Sequence, residues 1–422
     1  MEALRFWWLL GWIGFGGPAG QIAIMHAELV ERRRWVGDGS FMRGLNFCML
    51  LPGPEAMQLA TWLGWRLHGV RGGIVAGSLF VLPASLILAL LSWLYLRYGD
   101  LPAVAGVVFG LQAAVLGIIV QAARRIGGRV LKTPFALALA AAAWLAIALA
   151  DWPFPLILLA AGFAGLLAWR YRPAWLPAFG EAASPDSNAE TPRSATPVGT
   201  AIRIATACLL LWWMPILGVR QWLGADSVTY ALGLFFSKAA LVTVGGAYAV
   251  LPYVADQAVQ AHGWLSPAQM MVGLGLAETT PGPLILVLEF VGFVGGWQRP
   301  DLASPLASAL LGAAITLWAT FLPSFLFVLT AAPWIERIGR WPRASAMLAG
   351  VTAAVVGVIA NLAIWFGWRL FAAQQWPAMG LALGISALVY LGLSRWQWPV
   401  AAVVLGAGAV GAAAQFVIPL AT

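Results

Sequence analysis

Long apolar runs, separated by short polar or charged breaks, fill this chain. They fall near Leu4–Met25, Phe41–Trp65, Gly73–Leu96, Leu101–Ala122, Pro134–Ala150 and Phe154–Trp169, then Ala201–Leu223, Val228–Val254, Met270–Trp297, Leu302–Ala332, Ala344–Trp368, Trp376–Leu393 and Val400–Leu420. An α-helix needs about 20 apolar residues to cross the hydrocarbon core of a bilayer. Between the sixth and seventh runs lies Tyr171–Thr200, rich in Pro, Ser, Asp, Glu, Asn and Thr. It is too polar to span and reads as a solvated linker. The pattern predicts an all-α polytopic membrane protein of thirteen hydrophobic segments, ordered six, one and six.

The two sets of six share one frame. A shift of 229 positions places Gly16-Gly17 on Gly245-Gly246, Trp35 on Trp264, and Pro52-Gly53-Pro54 on Pro281-Gly282-Pro283. Phe6, Met42, Gly44, Leu45 and Leu59 also find identical partners, at Phe235, Met271, Gly273, Leu274 and Leu288. One ungapped register carrying all of these marks an internal duplication. Six segments return the chain to the side where it began, and the lone segment Ala201–Leu223 then reverses the start of the second half. The expected architecture is a pair of inverted repeats joined by one extra transmembrane helix.

Composition narrows the class. Hydrophobic residues make up 61% of the 422 positions and charged residues only 9%, against roughly 25% charged in soluble domains. The net charge of +8 is topological and does not indicate a nucleic-acid surface. With the N-terminus inside, Arg66, Arg71, Arg124, Arg125, Arg129, Lys132, Arg170, Arg172, Arg193, Arg203, Arg337, Arg340, Arg343 and Arg395 fall on the cytoplasmic side. Only Arg97, Arg220, Arg299 and Arg369 fall outside, which also puts the C-terminus outside. Arg32, Arg33, Arg34 and Arg43 disagree if the first segment crosses fully. They rejoin the others if the first two segments of each half are re-entrant hairpins folding back at Gly16-Gly17-Pro18 and Pro52-Gly53-Pro54, which leaves nine crossings. Gly and Pro at mid-segment favour the hairpins. Two cysteines and three histidines, with no Cys-x-x-Cys or His-x-x-x-His spacing, point away from a metal centre or other cofactor. An early span that itself carries the Gly-Gly-Pro motif argues against a cleavable leader.

Candidate chemistry gathers at the breaks. Pro-Gly-Pro within an apolar segment interrupts the helix and frees backbone N–H and C=O groups, which hydrocarbon cannot satisfy. A half-helix starting near Pro54 aims a positive dipole end into the membrane, which suits an anion. The expected binding residues are Gly16, Gly17, Pro18, Gln21, Asn46, Pro52, Gly53, Pro54, Gln58, Lys238, Gly245, Gly246, Thr279, Thr280, Pro281, Gly282 and Pro283. Lys238 stands two turns before Gly245, where a charge is costly and suggests function. Glu28, Arg32, Arg34, Glu55, Glu278 and Glu289 are the coupling or gating candidates; salt bridging is the competing role for Glu55 and Glu278. The copies differ in place: Ala247 stands for Pro18 and Leu284 for Glu55. Ser266-Pro267 reads as a helix cap with Pro at the first helical position, and Asp38 or Ser40 as the equivalent cap.

With Phe15-Gly16-Gly17-Pro18, His26-Ala27-Glu28 through Trp35, and Leu51-Pro52-Gly53-Pro54-Glu55-Ala56, the chain resembles the chromate ion transporter family in its long, two-domain form. Gly69-Val70-Arg71-Gly72-Gly73, Leu82-Pro83, Gly245-Gly246, Trp264 and Thr280-Pro281-Gly282-Pro283 extend the resemblance. It implies family repeats over residues 1–170 and 224–422, a polar cytoplasmic linker over 171–200 and a connecting helix over 201–223. It also implies a secondary transporter of the inner membrane that exports chromate, with sulfate as the mimic, rather than an enzyme. The expected partners are the oxyanion and the lipid bilayer, with a homodimer as one expected assembly and no nucleic acid. No Gly-x-x-x-x-Gly-Lys-Ser/Thr motif for ATP occurs. Sulfate or other oxyanion transport, a passive anion channel, and an intramembrane enzyme using His26 with Glu28 or Glu55 are the alternatives.

Overall fold

The computed structural model describes residues 1–15, 17–99, 101–175, 198–334, 342–372 and 374–417. Gly16, residues 176–197 of the linker, Arg193, Arg337 and Arg340 lie outside the described residues. The described secondary structure is helical throughout. The first half holds α1 (Glu2–Ile13), α2 (Gly17–His26), α3 (Asp38–Cys48), α4 (Glu55–Tyr98), α5 (Pro102–Val130), α6 (Pro134–Ala150) and α7 (Phe154–Tyr171). After α8 (Val198–Leu223), the second half holds α9 (Val228–Val242), α10 (Ala247–Asp256), α11 (Pro267–Thr279), α12 (Val287–Gln298), α13 (Pro305–Ala331), α14 (Pro342–Ala372), α15 (Trp376–Arg395) and α16 (Val400–Ala414). Wide single-turn segments, Ala27–Arg32 and Gln257–Ala261, close α2 and α10 at matched positions.

The first two apolar runs of each half are hairpins. Arg33 Nη1 donates to Glu2 Oε1 at 2.9 Å and its guanidinium stacks over Phe6 and Trp35. The chain therefore enters through α1, turns after Ile13 and returns through α2 to the face it left. Gly44 of α3 lies against the Trp62 ring, so α3 and the first arm of α4, residues 55–67, run antiparallel. α4 is itself bent back on itself: His68 and Gly69 leave helical geometry, with Gly69 at φ 70°. Beyond them Gly72, Gly73 and Gly77 pack on Gly64 and Thr61. The second arm, residues 70–98, is the part of α4 long enough to cross a bilayer.

The second half repeats this plan upside down. Phe235 of α9 packs on His262 and Trp264, where the first half has Phe6 with Arg33 and Trp35. α12 runs back against α13 through Gly292, Gly296 and Gly312. Trp93 and Leu96, at the far end of α4, pack with Phe293 and Trp297, at the far end of α12. Leu329, at the end of α13, reaches Gly73 at the start of the crossing arm of α4. The two sets of hairpins therefore open to opposite faces.

Seven described helices are long and apolar enough to span a membrane, α4 among them through its second arm. With the shorter apolar α6 and α16, and with α9 and α12 serving as hairpin arms, nine helices are candidates to cross among the described residues. The halves are interlocked by small residues that let backbones approach closely. α14 packs on α6 and α7 through Gly357 against Ala140 and Gly350 against Ala161 and Gly165. Reciprocally, α5 packs on α15 and α16 through Gly117, Gly110 and Gly106. Ser266 caps α11 in a reciprocal box with Gln269, as its sequence predicts. Neither Asp38 nor Ser40 caps α3, which starts after Gly37; the Asp38 carboxylate instead meets His26 at 2.7 Å.

Candidate functional site

The hairpin tips of the two halves meet. Gly53 N, in the first Pro-Gly-Pro, donates to Thr243 O at the end of α9, at 2.7 Å. Gly282 N, in the second, donates to Gly14 O at the end of α1, at 3.0 Å. These bonds are the same bond under the 229-residue register. Gly53 and Gly282 adopt φ of 123° and 102°, which L side chains rarely adopt. A Cβ on Gly53 would strike Ser324 and Gln58, and one on Gly282 would strike Ala84.

Two glutamines finish the junction, and both belong to the first half. Gln21, fully buried, donates from Nε2 to Gly14 O at 2.9 Å and to Gly282 O at 2.5 Å. Gln58, equally buried, donates to Pro52 O at 2.7 Å and to Ser324 Oγ at 3.4 Å. The carbonyl ends of the broken helices are thus taken up by protein donors, while the amino ends are left open. α4, α10 and the turn Leu284–Leu286 before α12 all begin at the junction, and none has a side-chain cap. Away from the junction, α6, α9, α11 and α13 are capped by Thr133, Ser227, Ser266 and Ser304, while α1, α3, α5, α7, α15 and α16 also start without a side-chain cap. Uncapped amino ends carry partial positive charge and free N–H groups, the fitting pair for an oxyanion.

Glu55 begins α4 half-buried, with its Oε1 beside Gly246, the residue before α10. Gly17 starts α2 at φ 69° with open space beside it, and Pro18 follows. Gly245 also takes positive φ, next to Thr352 of α14. Pro281, Gly282 and Pro283 are buried. Thr279 and Thr280 close α11 by donating to Leu276 O and Ala277 O, so their oxygens are the atoms left to accept. Glu278 is held by the Tyr248 hydroxyl at 2.5 Å, and the Arg125 charge acts on that hydroxyl from α5.

Other expected residues lie elsewhere. Lys238 is exposed on α9 and its charge is felt by His262, since a helical side chain leans back toward its own N-terminus, here away from the break. Asn46 is exposed on α3. Glu28 pairs with Arg33 at 3.0 Å and Arg32 at 2.8 Å, which hold its carboxyl below the usual carboxylate range, Arg33 first. Arg32 and Arg34 are exposed on that same surface, with Arg34 at φ 54°. His26 is engaged by Glu31 and Asp38, so it is not poised as a free base beside Glu28 or Glu55. Glu289 is buried on α12. Tyr248 and Ser324 were not among the expected site residues, and Arg125 was read only for topology; Arg125 and Ser324 sit 123 and 266 positions from Tyr248 and Gln58, and nothing local announces such partners.

The junction is built on both halves, and so is the sequence match. A model of the family described as chromate transporter matches residues 1–166 and 230–412. The chain belongs to the chromate transporter family. Its matched stretches leave out the linker and all of α8, and one falls in each half. A chromate transport protein of Cupriavidus metallidurans is 31% identical over 86% of this chain and 81% of its own length. One of Pseudomonas aeruginosa is 32% identical over 95% of this chain and 89% of its own. A probable chromate transport protein of Synechococcus elongatus is 29% identical over 87% and 84%. No solved structure matches the chain. Every residue of the reciprocal junction that the structure describes falls inside the family's matched stretches.

Proposed function

We propose that this chain exports chromate across the inner membrane by alternating access, binding the dianion where the tips of the inverted hairpins meet. The observation that carries the reading is the asymmetry of the junction: its carbonyls are satisfied by Gly53, Gly282, Gln21 and Gln58, while the starts of α4 and α10 are uncapped. The names of the relatives supply chromate as the substrate. Sulfate shares the tetrahedral shape and charge, and serves as the competitor. Gly17, Pro18, the two Pro-Gly-Pro turns, Gly245, Gly246, Thr279 and Thr280 surround the anion in this reading. Arg32, Arg33, Arg34, Arg43, Arg66 and Arg71 share the face of the N-terminus, which makes that face cytoplasmic.

Glu55 is then a rival of the substrate, since its carboxyl borders the amino end of α10. Removing one negative charge a few ångströms from a bound dianion is worth at least about 1 kcal/mol even at the dielectric of bulk water, and that alone is about fivefold in affinity. Glu55→Gln should bind chromate at least about fivefold more tightly in equilibrium dialysis of the purified protein. Weaker binding would show that Glu55 does not compete for the site. No chromate binding by the unaltered protein would end the reading.

A further inference from the structure

α12 and α13 approach closely where Gly292 meets Gly312 and Thr316 Oγ1. One turn before Gly292 stands Glu289, 2% exposed. Its Oε2 has no hydrogen-bond partner, and no ion pair among the described residues includes it. On α13, which meets α12 at Gly292 through Thr316, both Thr316 and Thr320 are buried and their Oγ1 atoms also lack partners. That is unusual for this protein. Thr61, Ser92, Ser237, Thr243 and Thr352 each give their hydroxyl to the carbonyl one turn back. One turn beyond Thr320, Ser324 Oγ accepts from Gln58, which also bonds the Pro52 carbonyl at the junction. Thr316, Thr320 and Ser324 thus form a polar row, four residues apart, from the carboxyl to the anion site.

The row belongs to one half only. The 229-residue register puts Ala60 at the position of Glu289, and the matched contacts of Gly53 with Ser324 and Gly282 with Ala84 set the crossing arms 240 positions apart, which puts Ala76, Phe80 and Ala84 at Thr316, Thr320 and Ser324. The shared fold does not need it. An unpaired buried carboxylate is costly in a membrane interior and by default marks a functional group.

We propose that Glu289 carries the coupling proton of the transport cycle, and that Thr316, Thr320 and Ser324 link it to the anion site. The assignment rests on the reading of the chain as a chromate carrier. Glu289 takes a proton from water reached from one face, becoming a neutral acid, and returns it to water on the other, becoming a carboxylate. Nothing is oxidised or reduced, and one proton moves per cycle. The elements packed on α12 leave Glu289 alone with this role. α13 and the turn Leu284–Leu286 carry no charged residue. Glu278 of α11 is engaged by Tyr248, and Lys238 of α9 is exposed. α4 brings Glu55 at the junction, Arg66, His68 and Arg71 at its bend, and Arg97 and the Tyr95 and Tyr98 phenols at its far end.

Two assays on the full chain in proteoliposomes separate coupling from substrate movement. Chromate counterflow at equal pH reads exchange, and accumulation under an imposed pH gradient reads coupling. Glu289→Gln should show counterflow and lose pH-driven accumulation, while Glu289→Asp keeps both. Thr320→Val, nearly isosteric, should show counterflow with slowed pH-driven accumulation. pH-driven accumulation surviving in Glu289→Gln, or unslowed in Thr320→Val, would overturn the proposal. So would loss of counterflow in Glu289→Gln, or accumulation driven in the unaltered protein by a sodium gradient alone. Absence of counterflow in the unaltered protein would instead sink the carrier reading, and this site with it.

Discussion

Gly53 and Gly282 show how much one residue decides. Each holds positive φ, gives its N–H to the other half, and has protein where a Cβ would go. Left-handed backbone costs an L-residue about 1–2 kcal/mol before any clash. Gly53→Ala and Gly282→Ala should therefore lower stability by about 2 kcal/mol or more, read as a fall in the unfolding midpoint in detergent. Gly128→Ala, in α5 with open space beside it, should leave the midpoint unchanged. Gln21→Leu strips a buried donor from two carbonyls and should cost about 1–3 kcal/mol in the same assay. The glutamines are visible in the sequence as polar residues in apolar runs. Their partners are not: Gly282 is 261 residues from Gln21, and only the assembled halves bring them together.

Also at this scale, His262 stacks on Trp264 at 4.2 Å with an interplanar angle of 4°. Burial first, then the Arg299 and Lys238 charges, holds its imidazole below the ordinary value of 6.5. The unfolded chain binds that proton more readily, so the contribution of His262 to stability is complete above 6.5 and is lost as pH falls through the folded value. The unfolding midpoint should drop on acidification through this window, and less so in His262→Phe. Equal slopes in the two proteins would rule His262 out as the source.

At the scale of elements, the breaks were legible, and the turning of the chain was legible as the favoured of two readings that hydropathy alone leaves open. Pro-Gly-Pro in an apolar run predicts an interruption from Pro and Gly geometry alone. Yet α1 and α2 together, two half-length helices folded on each other, show the same apolar run, Leu4–Met25, as one helix that crosses. Hydropathy registers burial in an apolar medium, not direction. The arginines at 32–34 and the Gly and Pro at mid-segment were the sequence clues to re-entry, and the Arg33–Glu2 bond agrees with them. In a cysteine-free background, Glu2→Cys, Arg33→Cys and His68→Cys should all label from one side of sealed vesicles. Ala261→Cys should label from the other. Labelling of Arg33→Cys and Glu2→Cys from opposite sides would contradict the hairpins.

At the scale of the molecule, the single α8 between matched halves was enough to predict inversion, because six segments restore parity and one reverses it. What the pattern could not show is the exchange of helices, with α6 and α7 of the first half on α14 of the second and α15 and α16 on α5. Such packing is written in Gly110, Gly117, Gly350 and Gly357, which in the sequence look like any glycines of an apolar helix. The exchanged helices also carry the hairpins, α11 on α5 and α16 and α10 on α14, and the proposed alternating access would move the hairpins against them. Chromate uptake by purified protein in proteoliposomes, at matched reconstituted amounts, tests this account most directly. The unaltered protein and Lys238→Ala should take up chromate in competition with sulfate, and Gly53→Ala and Gly282→Ala should not. Full uptake in both glycine variants, with Lys238→Ala inactive, would contradict it.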